Sequence, residues 1–180
     1  MPDQGYFSLE DCKVAPWTDA TTWGTAVDVY GVNVFGLSLR MLSGEHIGDG
    51  ALIATHAQVI AMNCEVQFLM NGLALWATLL GKALESGATD KGLVIDRVVM
   101  PYLGIIGKVL VADSGAGQLE VFLPKIKINQ DIQIVQATAE GFITPRLQAQ
   151  AVYNDATYGF GKLIDRASVG AVTIPPAALA

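Results

Sequence analysis

The residues through which this chain could do covalent or metal chemistry include two histidines, two cysteines and Lys108, which closes a short run bearing two glycines. His46 and His56 lie ten positions apart without an HExxH frame, and a metal would need further ligands that only the fold could supply. Gly104-Ile105-Ile106-Gly107-Lys108 has the outline of a phosphate loop and fails as one. Tyr102 stands where the first glycine belongs, and Val109 replaces the hydroxyl residue that would hold magnesium. Ser38 sits between leucines with Arg40 in place of a closing glycine, so no nucleophile elbow is present. Cys12 and Cys64 form no CxxC pair. Cys64 falls on the apolar side of an alternating run and reads as a buried free thiol, and nothing requires an oxidising compartment.

The seventeen Asp and Glu residues are dispersed, and none falls in a spacing that forces two into a shared cleft as acid and base. The expectation is therefore a protein that is not an enzyme, with no cofactor and no metal. The net charge of −6 argues against gripping nucleic acid through its phosphates, because such binders concentrate Lys and Arg. It does not exclude a protein that nucleic acid slides past. Charged residues make up only 16% of the chain against a typical ~25%, and mean hydropathy is positive. The surplus apolar side chain goes either into a large core or into contacts between copies. Met1-Pro2-Asp3-Gln4-Gly5 lacks the basic start and apolar run of a secretory signal. The uncharged stretch between Glu65 and Lys82 is short of the ~20 residues a membrane span needs, so no membrane contact is expected.

The elements that must position these residues are mostly strands. Val34–Met41 alternates Phe35, Leu37, Leu39 and Met41 against Gly36, Ser38 and Arg40. Gln58–Phe68 places Ile60, Met62, Cys64, Val66 and Phe68 opposite Asn63, Glu65 and Gln67. Asn71 stands as an N-cap, and Leu73, Trp76, Ala77, Leu80 and Leu84 recur at helical spacing, predicting a helix over about 72–85. Between the two strands, 42–55 exceeds the two to five residues of an ordinary hairpin closure and is rich in glycine and charge. It is expected as a long inter-strand loop, either mobile or employed in contacts with something else.

Further strands are expected at Leu9–Trp17, Gly92–Met100, Tyr102–Ala112, Leu119–Leu123, Pro124–Asn129, Ile132–Gln136, Phe142–Thr144 and Leu147–Tyr153, with Tyr158–Arg166 either adding one more or running along an edge. Lys125 and Lys127 share one face of their strand and Ile126 and Ile128 the other. Trp17 and Trp23 sit in a loop-like run and are expected to pack against the body of the subunit or a neighbour. The short connections imply a mainly β, antiparallel arrangement, two packed sheets or a flattened barrel, with one helix covering a side. The organisation is an N-terminal arm (1–8), one β domain (9–166) and an extended C-terminal tail (167–180).

Val121-Phe122-Leu123-Pro124-Lys125-Ile126-Lys127-Ile128, Glu140-Gly141-Phe142-Ile143-Thr144-Pro145 and Tyr158-Gly159-Phe160-Gly161-Lys162-Leu163-Ile164 resemble the tail tube proteins of bacteriophages with long non-contractile tails. So do Leu9–Pro16, Thr22–Val29, the segment Glu45–Gly50 and the helix opening Asn71-Gly72-Leu73. The likeness covers most of 9–165 and rests on order and spacing. In one departure, His46 and Ile47 stand where the family's loop often has a basic residue before Gly-Asp.

The resemblance implies a β-sandwich or half-barrel with a flanking helix, assembled as hexameric rings stacked into a tube for DNA delivery. It further implies residence in the virion tail after assembly in the bacterial host cytoplasm, with tail terminator, tape measure and distal tail proteins as partners. The loop of Leu42, Ser43, Gly44, Glu45, His46, Ile47, Gly48, Asp49 and Gly50 would reach a neighbouring subunit or ring. Double-stranded DNA would pass without specific contact. Six copies at −6 carry roughly −36 per ring, a repulsive wall if part of it faces inward. Asn63, Glu65, Gln67, Glu120 and Glu140 are lumen candidates, with plain outer surface as the alternative for each. The rival readings are a monomeric β-sandwich module binding carbohydrate or protein, with Trp17, Trp23 and Tyr30 as stacking residues, and a small hydrolase with an unrecognised site.

Overall fold

The structure, a computed structural model, describes residues 6–48, 51–69, 72–87, 89–97, 99–111, 117–132, 137–138, 141–142 and 145–178. In chain order the elements are β1 (Tyr6–Pro16), β2 (Val27–Asp28), β3 (Val32–Gly48), β4 (Ala51–Phe68), α1 (Leu73–Leu80), β5 (Glu85–Ser86) and β6 (Lys91–Gly92). There follow β7 (Tyr102–Val111), β8 (Gln118–Ile128), β9 (Ala137–Thr138), β10 (Gly141–Phe142), β11 (Arg146–Ala151) and β12 (Lys162–Arg166). The fold is mainly β with one helix, as the alternating runs require.

Eight strands share one antiparallel sheet in the order β2-β1-β7-β8-β11-β4-β3, with β12 added beside β8. β8 forks. Gln118–Phe122 pairs with β12, and Ile126–Ile128 pairs with β11, along the same edge. Pro124 lies between the two partners, where its missing N–H costs no ladder bond. Across β8 the register with β7 slips between Leu103 and Ile105, a bulge that bends the strand. Fork and bulge together let the sheet curl on itself. A Cβ added at Gly107 of β7 would lie 3.2 Å from the Phe35 ring of β3, although three strands separate the two in the sheet order.

The curl encloses the main core. Cys12 and Val14 of β1, Cys64, Val66 and Phe68 of β4, Ile126 and Ile128 of β8, and Leu147, Ala149 and Ala151 of β11 all point inward. α1 closes the open side with Leu75, Trp76 and Leu79, each nearly inaccessible, and burying a side chain of this kind is worth about 1.5–3 kcal/mol. Gly81 ends the helix in the left-handed conformation (φ 64°), its N–H returning to the carbonyls of Ala77 and Thr78.

A second core lies on the other face of β7 and β8. Trp23, Phe122 and Tyr158 form a mutual edge-to-face triangle with centroids 5.4 to 5.7 Å apart. The Trp23 indole lies over Gly104 and donates to the Pro124 carbonyl at 2.8 Å. Residues 167–178 lie along this face without strand structure and drive Val172 into the cluster, 1% exposed.

Several expectations are corrected in detail. The stretch 42–55 is no loop: β3 and β4 stay paired from Val32↔Phe68 to Gly48↔Ala51, so the hairpin runs its full length. Only Asp49-Gly50 remains to connect them, the dipeptide type suited to a two-residue closure. The connection itself lies outside the described residues. The helix spans Leu73–Leu80 and not 72–85, because Gly81 caps it and Glu85-Ser86 leaves to pair with β6. Its N-cap is Gly72; Asn71 lies outside the described residues. Residues 93–97 are irregular, so the strand expected over Gly92–Met100 is confined to β6 at its start. Tyr158 belongs to a turn ahead of β12, whose bounds are Lys162–Arg166. Residues 133–136 lie outside the described residues.

Gly104 is required by closeness, since a Cβ there would sit 2.5 Å from the Trp23 Nε1. We expect Gly104→Ala to lower the unfolding free energy by about 1–3 kcal/mol through displacement of the indole. Urea unfolding followed by tryptophan fluorescence checks this, and a loss within error of zero contradicts it.

Candidate functional site

The hairpin outruns its sheet. β11 covers β4 only from Met62 to Gln67, so Ala51–Ala61 has no strand partner except β3 among the described residues. β3 has β4 on one side and, among the described residues, no strand on the other. The distal half of the hairpin is thus a two-stranded ribbon with both outer edges open. Such a ribbon is marginal in water, and an open edge is a template for another strand. Its register slips where Arg40 pairs with Ala61 but Met41 pairs with Val59, leaving Ile60 as the extra residue. Leu39, Met41 and Leu42 are 56 to 60% exposed, and Ile60 is 40% exposed. The alternation that packs Phe35 and Cys64 against the core lower down thus runs on into side chains that, among the described ones, are exposed.

The outer face of the sheet is polar and follows from the register. One row crosses five strands: Tyr102, Lys127, Gln150, Asn63 and Ser38. The next rows set Gln148 beside Glu65 and Gly36, and Arg146 beside Gln67. Arg146 donates to Glu65 at 2.7 Å and Gln67 Nε2 donates to its other oxygen at 2.9 Å. These bonds, Arg146 first, hold the Glu65 carboxyl below the usual carboxylate range. An open hollow of about 400 Å³ lies here, lined by residues that include Ser38, Asn63, Glu65, Gln130 and Gln148.

Where this face meets β7, Lys125 Nζ sits 4.0 Å from the Trp17 ring centroid and 4.7 Å from that of Tyr102, and Lys127 Nζ lies 5.1 Å from Tyr102. Trp17 is fixed by donating its indole N–H to Asn154 Oδ1 at 3.0 Å, while Asn154 Nδ2 donates to the Ala20 carbonyl. Neither lysine is within ion-pair distance of a carboxylate among the described residues, in contrast to Lys13, Lys82, Lys108, Arg146 and Arg166.

Further along the same side of β7 and β8, charge is buried. Glu120 is 4% exposed and accepts from Gln118 Nε2 at 2.6 Å and from Arg166 Nε at 3.1 Å. The C-terminal segment seals this network. Gly170 N–H donates to Gln118, Lys108 donates to the Gly170 carbonyl, and Arg166 donates to the carbonyls of Ala177 and Ala178.

The expected site residues therefore separate. Leu42, Ser43, Gly44, Glu45, His46, Ile47 and Gly48 belong to β3, and Asp49 and Gly50 lie outside the described residues. Asn63, Glu65 and Gln67 come together on the outer face, as their spacing implied, but Glu65 is neutralised by Arg146. Glu120 is buried in the single chain and paired with Arg166. Glu140 lies outside the described residues.

Of the stacking trio, Trp23 is buried, Trp17 carries Lys125 on its ring and Tyr30 is 70% exposed. The arrangement that sequence reasoning missed is the aromatic support of Lys125 and Lys127. Their shared face was legible, but their contact with Trp17, over a hundred residues away, was not. Cys12 and Cys64 are both buried, and burial pushes the Cys64 thiol up to about 12 and that of Cys12 higher. No group of three potential metal ligands occurs among the described residues, and no helix among them is long and apolar enough to cross a membrane. No protein-family model matches the chain, and no match is found among curated proteins.

Arg146→Gln should return the Glu65 carboxyl toward its ordinary value near 4.5, read by carboxyl NMR titration. Because that value is depressed in the fold, the pair's stabilising effect is present above the ordinary range and lost as pH falls through the folded value. An unchanged Glu65 titration in the variant contradicts the assignment.

Proposed function

We propose that this chain is a structural subunit that assembles with identical copies into stacked rings, the tube of a long-tailed bacteriophage through which DNA passes. The observation that carries the reading is the hairpin of β3 and β4, which among the described residues leaves two open strand edges and exposed Leu39, Met41 and Leu42 in a single chain. An isolated protein gains nothing from extending such a ribbon into water. A repeating assembly gains pairing for the edges and cover for the side chains.

Three further features support the reading. The order and spacing of segments along 9–165 resemble the tail tube family. The ribbon falls where that family makes contacts between subunits or rings. The net charge of −6 per subunit opposes retention of phosphates in a conduit. Tail terminator, tape measure and distal tail proteins are the heterologous partners this role carries with it.

Deleting Gly44–Ala54 shortens the ribbon without touching the strands that β11 covers. We expect the shortened subunit to keep a native circular dichroism spectrum and to lose tube formation by negative-stain microscopy. Normal tubes from the deletion overturn the proposal. Should the protein remain a compact monomer at every concentration and bind an oligosaccharide, the module reading takes its place.

A further inference from the structure

The outer face of the sheet has the opposite sign to the chain. On the part of this face formed by β8, β11, β4 and β3 stand Lys125, Lys127, Arg146 and Arg40, against the carboxylate of Glu65 among the described side chains, while Lys13 and Asp28 offset each other at the β1–β2 edge. The chain totals −6, so the remaining surface is more acidic than that total. Each molecule is thereby electrostatically two-sided.

We propose that this face is an interface that receives carboxylates from a second copy of the chain, centred on Lys125 and Lys127. The inference rests on the assembly reading and adds which surface is used and what holds it. The two ammonium groups are held against the rings of Trp17 and Tyr102, so less side-chain freedom is lost when an anion binds. The row of Lys127 continues into the amides of Gln150 and Asn63, which can donate to the same carboxylates.

An acidic surface meeting a different, basic surface is a head-to-tail contact, which propagates into rings or filaments in preference to closing as a two-fold dimer. The same complementarity suppresses face-to-face pairing, since like faces repel. A DNA duplex is the other polyanion such a face could hold, but lysines gripping phosphates would hinder passage through a conduit. The sign of the face therefore assigns it to contact between subunits and leaves the bore to acidic surface.

The test compares wild type with Lys125→Glu/Lys127→Glu and with Lys91→Glu, an exposed lysine remote in sequence, by sedimentation velocity and negative stain from low to high salt. A thermal melt of each variant establishes folding, and Lys125→Gln/Lys127→Gln replaces the reversal if that variant does not fold. We expect the wild-type assembly threshold to rise with salt, and the double variant to raise it about tenfold or more while Lys91→Glu leaves it unchanged.

Rings or tubes that form equally well in the double variant overturn the inference and leave the tube reading standing. Small salt-sensitive oligomers abolished by the double variant, without rings, support the inference and overturn the tube. A monomer under all conditions overturns both. Retention of a labelled 30-bp duplex by wild type, lost in the double variant while assembly is unaffected, overturns the inference in favour of a nucleic-acid surface.

Discussion

Backbone hydrogen bonding at a sheet edge is the constraint on which the rest of this molecule depends. Every N–H and C=O of a strand needs a partner, and where water is the only one available the strand stays open to pairing with another chain. Over most of the sheet the need is met internally: β7 by β1 and β8, β11 by β4 and β8. In the distal halves of β3 and β4 it is met on one side only. The molecule is a well-packed body bearing an unfinished sheet among the described residues.

The packed body gives the unfinished part its direction. Curling of the sheet through the fork at β8 and the bulge at Gly104 brings β3 over β7, and α1 closes the end of the core, so the hairpin leaves from a fixed base. Trp23, Phe122, Tyr158 and the C-terminal Val172 brace the opposite face of β7 and β8. The buried charges of that face are satisfied by the chain itself, with Arg166, Gln118 and Lys108 bonded to backbone groups of 170–178.

Much of the fold was legible because burial writes period two into the sequence. Val34–Met41 and Gln58–Phe68 could be read as strands since Phe35, Cys64, Val66 and Phe68 face a core. The same logic explains the error at 42–55. Among the described side chains of that ribbon, Leu42, Ser43, Gly44, His56, Ala57 and Gln58 are all exposed, so no buried face imposes alternation there, and composition imitates a loop. The helix was read too long because Leu84 continues the period after Gly81 has ended it. The site was less legible than the fold. Asn63, Glu65 and Gln67 share a face by parity alone, but their neutralisation by Arg146 and the burial of Glu120 by Arg166 depend on strand order. So does the approach of Trp17 to Lys125.

The measurement that bears most directly on the unfinished sheet is amide hydrogen exchange over Val32–Gly48 and Ala51–Ala61 as a function of protein concentration. In dilute solution the amides of these segments that point away from the hairpin should exchange rapidly. Once copies associate they should become protected, while those of β7 and β8 remain slow throughout. Protection of the outer-edge amides in a dilute monomer, unchanged on concentration, would show that the edges are already satisfied and would contradict the account.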